Sequence, residues 1–168
     1  MIETKRLILL PLTKDQLNKY IRNDHSLEKE LNVNASNRSI SPTLMEALEH
    51  TILPNVANPE KDYLFSTLWT IILKDENCQT GEICFVGEPN ETGEVEIGYG
   101  TYDAFQKRGI MTEALSGMVS WAKLQPAVKS IIACTEKDNP ASGSVLLKNH
   151  FVKAGESDQL YKWRLILK

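Results

Sequence analysis

Gln106-Lys107-Arg108-Gly109-Ile110-Met111-Thr112-Glu113-Ala114 joins a strand-like run to a helix. On its C-terminal side Met111, Ala114, Leu115, Met118, Val119 and Ala122 recur at i, i+3, i+4, i+7, i+8 and i+11, one apolar stripe on a helix over about 110–123. On its N-terminal side Glu94–Tyr99 alternates after the Asn90–Gly93 turn, the period of a strand. A glycine in such a turn leaves backbone N–H groups free at a helix N-terminus, where partial positive charge favours phosphate. Lys107 and Arg108 add formal charge beside those amides. A diphosphate ester is the natural ligand of this turn; an ordinary loop with solvated cations fits the same spacing.

Outward from the turn, Phe65–Lys74 and Thr80–Gly87 read as strands in antiparallel succession with Glu94–Tyr99, separated by the Asp75-Glu76-Asn77 turn. Before them, Arg6–Leu10 reads as a first strand ended by Pro11. Leu17, Tyr20, Ile21, Asp24, Leu27 and Leu31 follow helical spacing behind a Thr13 N-cap, so one helix covers about 14–31. Asn32–Ser41 is a polar loop. Pro42 opens a second helix with Leu44, Met45, Leu48 and Ile52 on one side, and Pro54 and Pro59 bracket an irregular segment. Beyond the central helix come a buried strand at Ser130–Thr135, a short helix at Pro140–Asn149 and two strands within Phe151–Lys168, the last alternating Tyr161, Trp163 and Leu165 against Lys162 and Arg164. The order β-α-α-β-β-β-α-β-α-β-β is a mixed sheet with helices on its faces.

Composition narrows the classes of function. The 168 residues make about one domain and are 42 % apolar and 24 % charged, which leaves an ordinary folded domain and excludes disordered, fibrous and disulfide-scaffold classes. Nineteen Lys and Arg against 22 Asp and Glu give a net charge of −3, without the basic field of a nucleic-acid-binding protein. No apolar stretch approaches the ~20 residues of a membrane span, and the first residues show no secretory signal, so a cytoplasmic location is expected. Cys78, Cys84 and Cys134 lack metal-ligand spacing and read as small buried hydrophobes. His25, His50 and His150 are scattered without metal spacing, and no metal is expected.

Nucleotide signatures fail: there is no GxxxxGK[ST], and Gly98-Tyr99-Gly100 is not followed by glycine at 103. The segments Val95-Glu96-Ile97-Gly98-Tyr99, Gln106–Leu115 and Asp138-Asn139-Pro140-Ala141-Ser142 resemble the GNAT superfamily of acyl-CoA N-acyltransferases. Within it they are most similar to the RimJ/RimL branch, which acetylates ribosomal-protein N-termini and, in relatives, other amines. The opening Glu3–Leu9 resembles that branch's first strand, so the likeness spans nearly the whole chain.

The resemblance implies one domain over residues 1–168, of α/β (α+β) class, with a mostly antiparallel sheet of six to seven strands flanked by about four helices. It implies an acetyl-CoA-dependent enzyme that moves the acetyl group to a primary amine, on a protein N-terminus or a small molecule. Gln106, Lys107, Arg108, Gly109, Ile110, Met111 and Thr112 would be the pyrophosphate loop, with Met111 where the stricter pattern has Gly or Ala. Ile97, Gly98 and Tyr99 would hold the pantetheine arm by strand addition. Asn139 would bond the arm, although it is equally a good N-cap before Pro140.

Acetyl transfer needs a neutral amine, a polarised carbonyl and a proton for the leaving thiolate. Glu96, beside the expected thioester strand, is the candidate base, and a main-chain N–H near Ile97 or Gly98 is the family-like oxyanion donor. The Tyr that many relatives place seven residues past the Asn is Leu146 here, so Ser142 is assigned to the departing sulfur. The missing Tyr also motivates a second reading, a CoA-binding regulatory module. His150 replaces the expected Gly before Phe151, so Asn149 or His150 must close the short helix in the left-handed region. Tyr161 and Trp163 are left to pack internally or across a homodimer.

Overall fold

Eight strands form one sheet in the computed structural model, which describes residues 1–168. They are β1 (Ile2–Glu3), β2 (Leu7–Pro11), β3 (Trp69–Leu73), β4 (Cys78–Phe85), β5 (Glu94–Thr101), β6 (Ser130–Glu136), β7 (Val152–Glu156) and β8 (Leu160–Ile166), in the order β1-β2-β3-β4-β5-β6-β8-β7. All neighbours are antiparallel except β5 and β6. The strand not anticipated is β1, whose two residues are too short to show a period. Pro11 lies inside β2 rather than after it: Leu12 N–H bonds Leu68 C=O on the β3 side, so Pro11 turns its nitrogen toward β1, whose pairing stops at Leu9.

The helix over Ile110–Lys123, α6, packs its apolar stripe on one face of the sheet in a cluster of 23 buried residues that includes Leu9, Ile71, Val95, Ile97, Met118 and Phe151. The opposite face carries a smaller cluster of Leu12, Leu17, Tyr20, Leu27, Leu48, Ile52 and Leu68. The single helix expected over 14–31 is two, α1 (Lys14–Arg22) and α2 (Ser26–Leu31). Asn23 (φ 51°) and His25 (φ 65°) are left-handed, and Asp24 caps Ser26 N–H between them. Asn and Asp supply this break without Gly or Pro.

The second helical region runs past its expected end. α3 (Pro42–Ala47) continues through a π turn at Leu48–Ile52 into α4 (Leu53–Ala57). Pro54 has no N–H to give, and the preceding Leu53 N–H reaches back to Leu48 C=O, the wider loop that lets a proline sit in a continuous helix. The strand expected over Phe65–Lys74 starts only at Trp69, because Asp62 caps a short helix, α5 (Tyr63–Ser66), by accepting from Leu64 N–H at 2.9 Å. α7 (Pro140–Lys148) is closed by His150 in the left-handed region at φ 67°. Trp69 is fully buried core, and Trp163 packs internally, donating from Nε1 to Thr135 Oγ1 at 2.9 Å. No helix is long and apolar enough to cross a membrane.

Candidate active site

The parallel pairing of β5 and β6 lasts only from Glu94↔Ser130 to Glu96↔Ile132. Beyond that the strands part. Val86 N–H bonds Glu96 C=O and Tyr102 N–H bonds Thr80 C=O, so even-numbered residues of β5 face β4. The Ile97 carbonyl and both backbone groups of Tyr99 and Thr101 therefore face the gap β6 has left. Gly98 turns its backbone to β4, opposite Cys84, and a Cβ built on it would meet nothing within 4 Å.

At the mouth of the gap lies the Gln106–Gly109 turn. Lys107 (φ 61°) and Gly109 (φ 73°) are both left-handed, a conformation favouring glycine at the helix N-cap. No side chain caps α6, and its first internal bond runs from Glu113 N–H to Gly109 C=O at 3.2 Å, so the Ile110, Met111 and Thr112 amides have no partner within the helix. The side chains of Ile110 and Met111 are buried in the core, 1 % and 5 % exposed. Met111 thus offers only its backbone to the turn, and its bulk does not crowd the amides. Tyr99, Gln106, Lys107, Arg108, Gly109, Ile110, Met111, Thr112, Asn139 and Ser142 line one cleft of about 520 Å³. Ile97, whose side chain is in the core, Gly98 and Glu96 do not line it.

Cations beside the turn are disposed differently from the simple reading. Arg108 pairs with Glu76 and lies over the Phe105 ring, 5.4 Å from its centre, and Gln106 donates to Asp103 at 3.2 Å, so Lys107 is the charged residue of the turn without an ion-pair partner. Arg6, which carried no site signal in the sequence, reaches across from the start of β2. Its Nη1 donates to Arg108 C=O at 3.1 Å and its Nε to Glu113 Oε2 at 2.6 Å. Glu113 also accepts from the Arg6 N–H at 2.7 Å and the Thr4 hydroxyl at 2.7 Å, tying the N-terminal strand to the first turn of α6.

On the far wall, Asn139 Oδ1 accepts from Ser142 N–H at 3.2 Å, which is the capping role. Ser142 Oγ donates to the Tyr99 hydroxyl at 3.0 Å, and Tyr99 donates to Ser142 C=O at 3.1 Å. Burial raises the Tyr99 proton affinity, so this hydroxyl is a donor at neutral pH. The sequence had offered only the backbone of Tyr99. Leu146 is fully buried, directed into the core rather than the cleft.

The opposite face of β5 holds the carboxylates. Glu96 is half-buried and bonds no other side chain. Glu94, two residues before it on the same face, is paired with Arg164. Cys84 and Cys134 lie in the field of Glu96, and burial, aided by Glu82 and Glu96, pushes the Cys84 thiol up to about 12. Contrary to the expectation of three buried thiols, Cys134 is exposed.

A parted sheet edge beside an uncapped helix N-terminus is suited to an extended, anion-ended ligand lying along the edge as an added strand. The sequence profile described as Acetyltransferase (GNAT) domain matches residues 6–152, and the chain belongs to this family of acetyltransferases. An uncharacterized N-acetyltransferase of Bacillus subtilis, YjdG, is 29 % identical over 168 residues, covering 100 % of this chain and 99 % of its own. Among solved structures, the RimL ribosomal L7/L12 alpha-N-protein acetyltransferase in complex with coenzyme A superposes with a TM-score of 0.69 at 17 % identity, over 98 % of this chain and 96 % of that one. The microcin C7 self-immunity acetyltransferase MccE, in complex with acetyl-CoA and AMP, gives 0.65 at 18 % identity over 97 % and 93 %.

Proposed function

We propose that the protein transfers the acetyl group of acetyl-CoA to a primary amine, of a protein N-terminus or a small molecule, by direct attack in a ternary complex. The observation that carries this reading is that the unpaired amides of Ile110–Thr112 and the unpaired edge of β5 open into the same cleft. The Gln106–Thr112 turn holds the diphosphate through main-chain N–H groups, with Lys107 beside it. The Ile97 carbonyl and the Tyr99 and Thr101 backbone hold the pantetheine arm, and the outward Tyr99 N–H is suited to the thioester oxygen. Gly98 contributes open space rather than a hydrogen bond, and Asn139 fixes the start of α7.

Acetyl-CoA supplies a thioester whose sulfur is a good leaving group. Ser142 and Tyr99 give that sulfur a hydroxyl donor where Leu146 cannot. Glu96, on the thioester strand, takes the proton from the amine directly or through water. Positioning supplies most of the acceleration, up to ~7–11 kcal/mol. Three free thiols fit a reducing compartment, and the reading places the reaction in the cytoplasm without metal, nucleic acid or membrane. Titrating the purified chain with acetyl-CoA in a calorimeter and following free thiol with a panel of amines tests it: heat of binding and acceptor-dependent thiol release are expected. The regulatory-module reading rests on the buried Leu146 and expects the heat without the thiol. Absence of both removes either reading.

A further inference from the structure

Glu82 lies on β4 opposite Gly100, its Oε1 3.0 Å from where a Cβ on Gly100 would stand. The next pair along is Cys84↔Gly98, and Glu96 follows two residues before Gly98 on the same face of β5. The open floor at Gly98 is therefore flanked on one side by Glu96 and, across the strand diagonal, by Glu82. The Cys84 thiol opposite Gly98 lies in the field of both carboxylates, which places their charges around one spot.

Glu82 is held from behind. The Tyr20 hydroxyl of α1 donates to its Oε2 at 3.1 Å, and the Arg38 guanidinium stacks on the Tyr20 ring, 4.5 Å from its centre. Arg38 itself is fixed by the buried Glu28 at 3.0 Å and by Gln79 at 3.2 Å. Tyr102 is buried, and its hydroxyl faces the same carboxylate. A carboxylate held by buried hydroxyls beside an open glycine floor is a polar pocket on this face of the sheet.

We propose that the acceptor's ammonium group docks over Gly98 between Glu82 and Glu96, and that Glu82 shares with Glu96 the removal of its proton. This rests on the acetyltransferase reading above. One N–H bond breaks, the proton passes to a carboxylate oxygen and the electron pair stays on nitrogen. The neutral amine forms a bond to the thioester carbonyl carbon, and the C–S bond breaks toward sulfur. A second proton leaves nitrogen as the amide forms and ends on the CoA thiol by way of the Ser142–Tyr99 side, while the first goes from the carboxylate to solvent. The titratable and charged groups facing Glu82 are Tyr20 from α1, Arg38 from the loop after α2, Tyr102 just past β5, Cys84 on its own strand and Glu96 across the floor. Burial raises the Glu82 proton affinity, the Tyr20 and Tyr102 hydroxyls and Arg38 lower it, and the balance stands at about 7.

With the full chain, acetyl-CoA and whichever amine the panel identifies, kcat/KM is expected to rise with pH through about 7, because a protonated Glu82 accepts nothing. In Glu82→Gln the acidic limb is lost and kcat/KM falls about 10²-fold, while the calorimetric Kd for CoA stays within twofold. Tyr20→Phe removes a donor that stabilises the carboxylate, so the limb moves to higher pH, a shift that loss of packing does not produce. A Glu82→Gln enzyme within twofold of wild type with the limb unchanged, or a limb unmoved in Tyr20→Phe, overturns the assignment while leaving the acetyltransferase reading intact. A wild-type chain that transfers to no amine overturns both.

Discussion

Ser142 Oγ donates to the Tyr99 hydroxyl at 3.0 Å, and Tyr99 answers by donating to the Ser142 carbonyl at 3.1 Å. The pair spans the gap between β5 and the start of α7, where a departing sulfur would need a proton. Tyr99→Phe removes both bonds and is expected to lower kcat about 10-fold or more with the KM for acetyl-CoA little changed; Ser142→Ala leaves the phenol in place and has the smaller effect. Initial rates at varied acetyl-CoA separate the two parameters. Equal KM and kcat losses in both variants would point to a binding role instead.

Gly109 stands at φ 73° and Gly87 at φ 83°. Alanine at either position meets the left-handed penalty of about 1–2 kcal/mol, visible as a lower Tm. Only Gly109 borders the amides of α6. Gly109→Glu, which adds a negative charge there, is expected to raise the calorimetric Kd for CoA at least about 100-fold, whereas Gly87→Ala leaves it unchanged.

The Glu113 carboxyl is subject to burial, which would raise its proton affinity, but the Arg6 N–H, the Thr4 hydroxyl and the Arg6 guanidinium outweigh burial and hold it below the usual carboxylate range. The unfolded chain therefore binds this proton more readily than the folded one. Glu113 accordingly adds stability that is complete above the unfolded value of about 4.3 and is lost as pH falls through the folded value. Glu113→Gln is expected to be less stable at pH 7 by about 1–2 kcal/mol, with the difference from wild type shrinking toward pH 3. Urea unfolding at stepped pH measures it; a constant difference would show that the charge is not what matters.

Gly98 faces open space at an ordinary φ, so Gly98→Leu fits the fold without backbone strain. It would fill the floor beside Glu96. The expected result is an acceptor KM raised about 10-fold or more with unchanged Tm and CoA affinity, since the coenzyme side of the strand is untouched. Acceptor kinetics unaffected by leucine would mean that the amine approaches from elsewhere.

Much of this is legible in the sequence. The stripe of α6, the alternation of β5, the Thr13 and Asn139 caps and the left-handed closure of α7 are local, written in residues a few positions apart. The break at Asn23–His25 escaped because its apolar spacing continues through two helices and its punctuation is Asn and Asp rather than Gly or Pro. The bracing of the turn by Arg6 joins residues 102 and 107 positions apart, and no periodicity encodes it. Glu82 escaped for a related reason: its place opposite Gly100 depends on strand register, and beside Cys84 and Phe85 it reads as one more polar residue in an alternating strand.

The three residue pairs joining β5 to β6 are the only ladder between the first five strands and the last three. With so short a seam, the last three strands are held to the first five mainly through the shared core under α6 and by whatever lies in the opening. Amide hydrogens of β6 and β8 should accordingly exchange more slowly once the coenzyme is present, while those of β2 and β3, on the far side of the molecule, keep their rates.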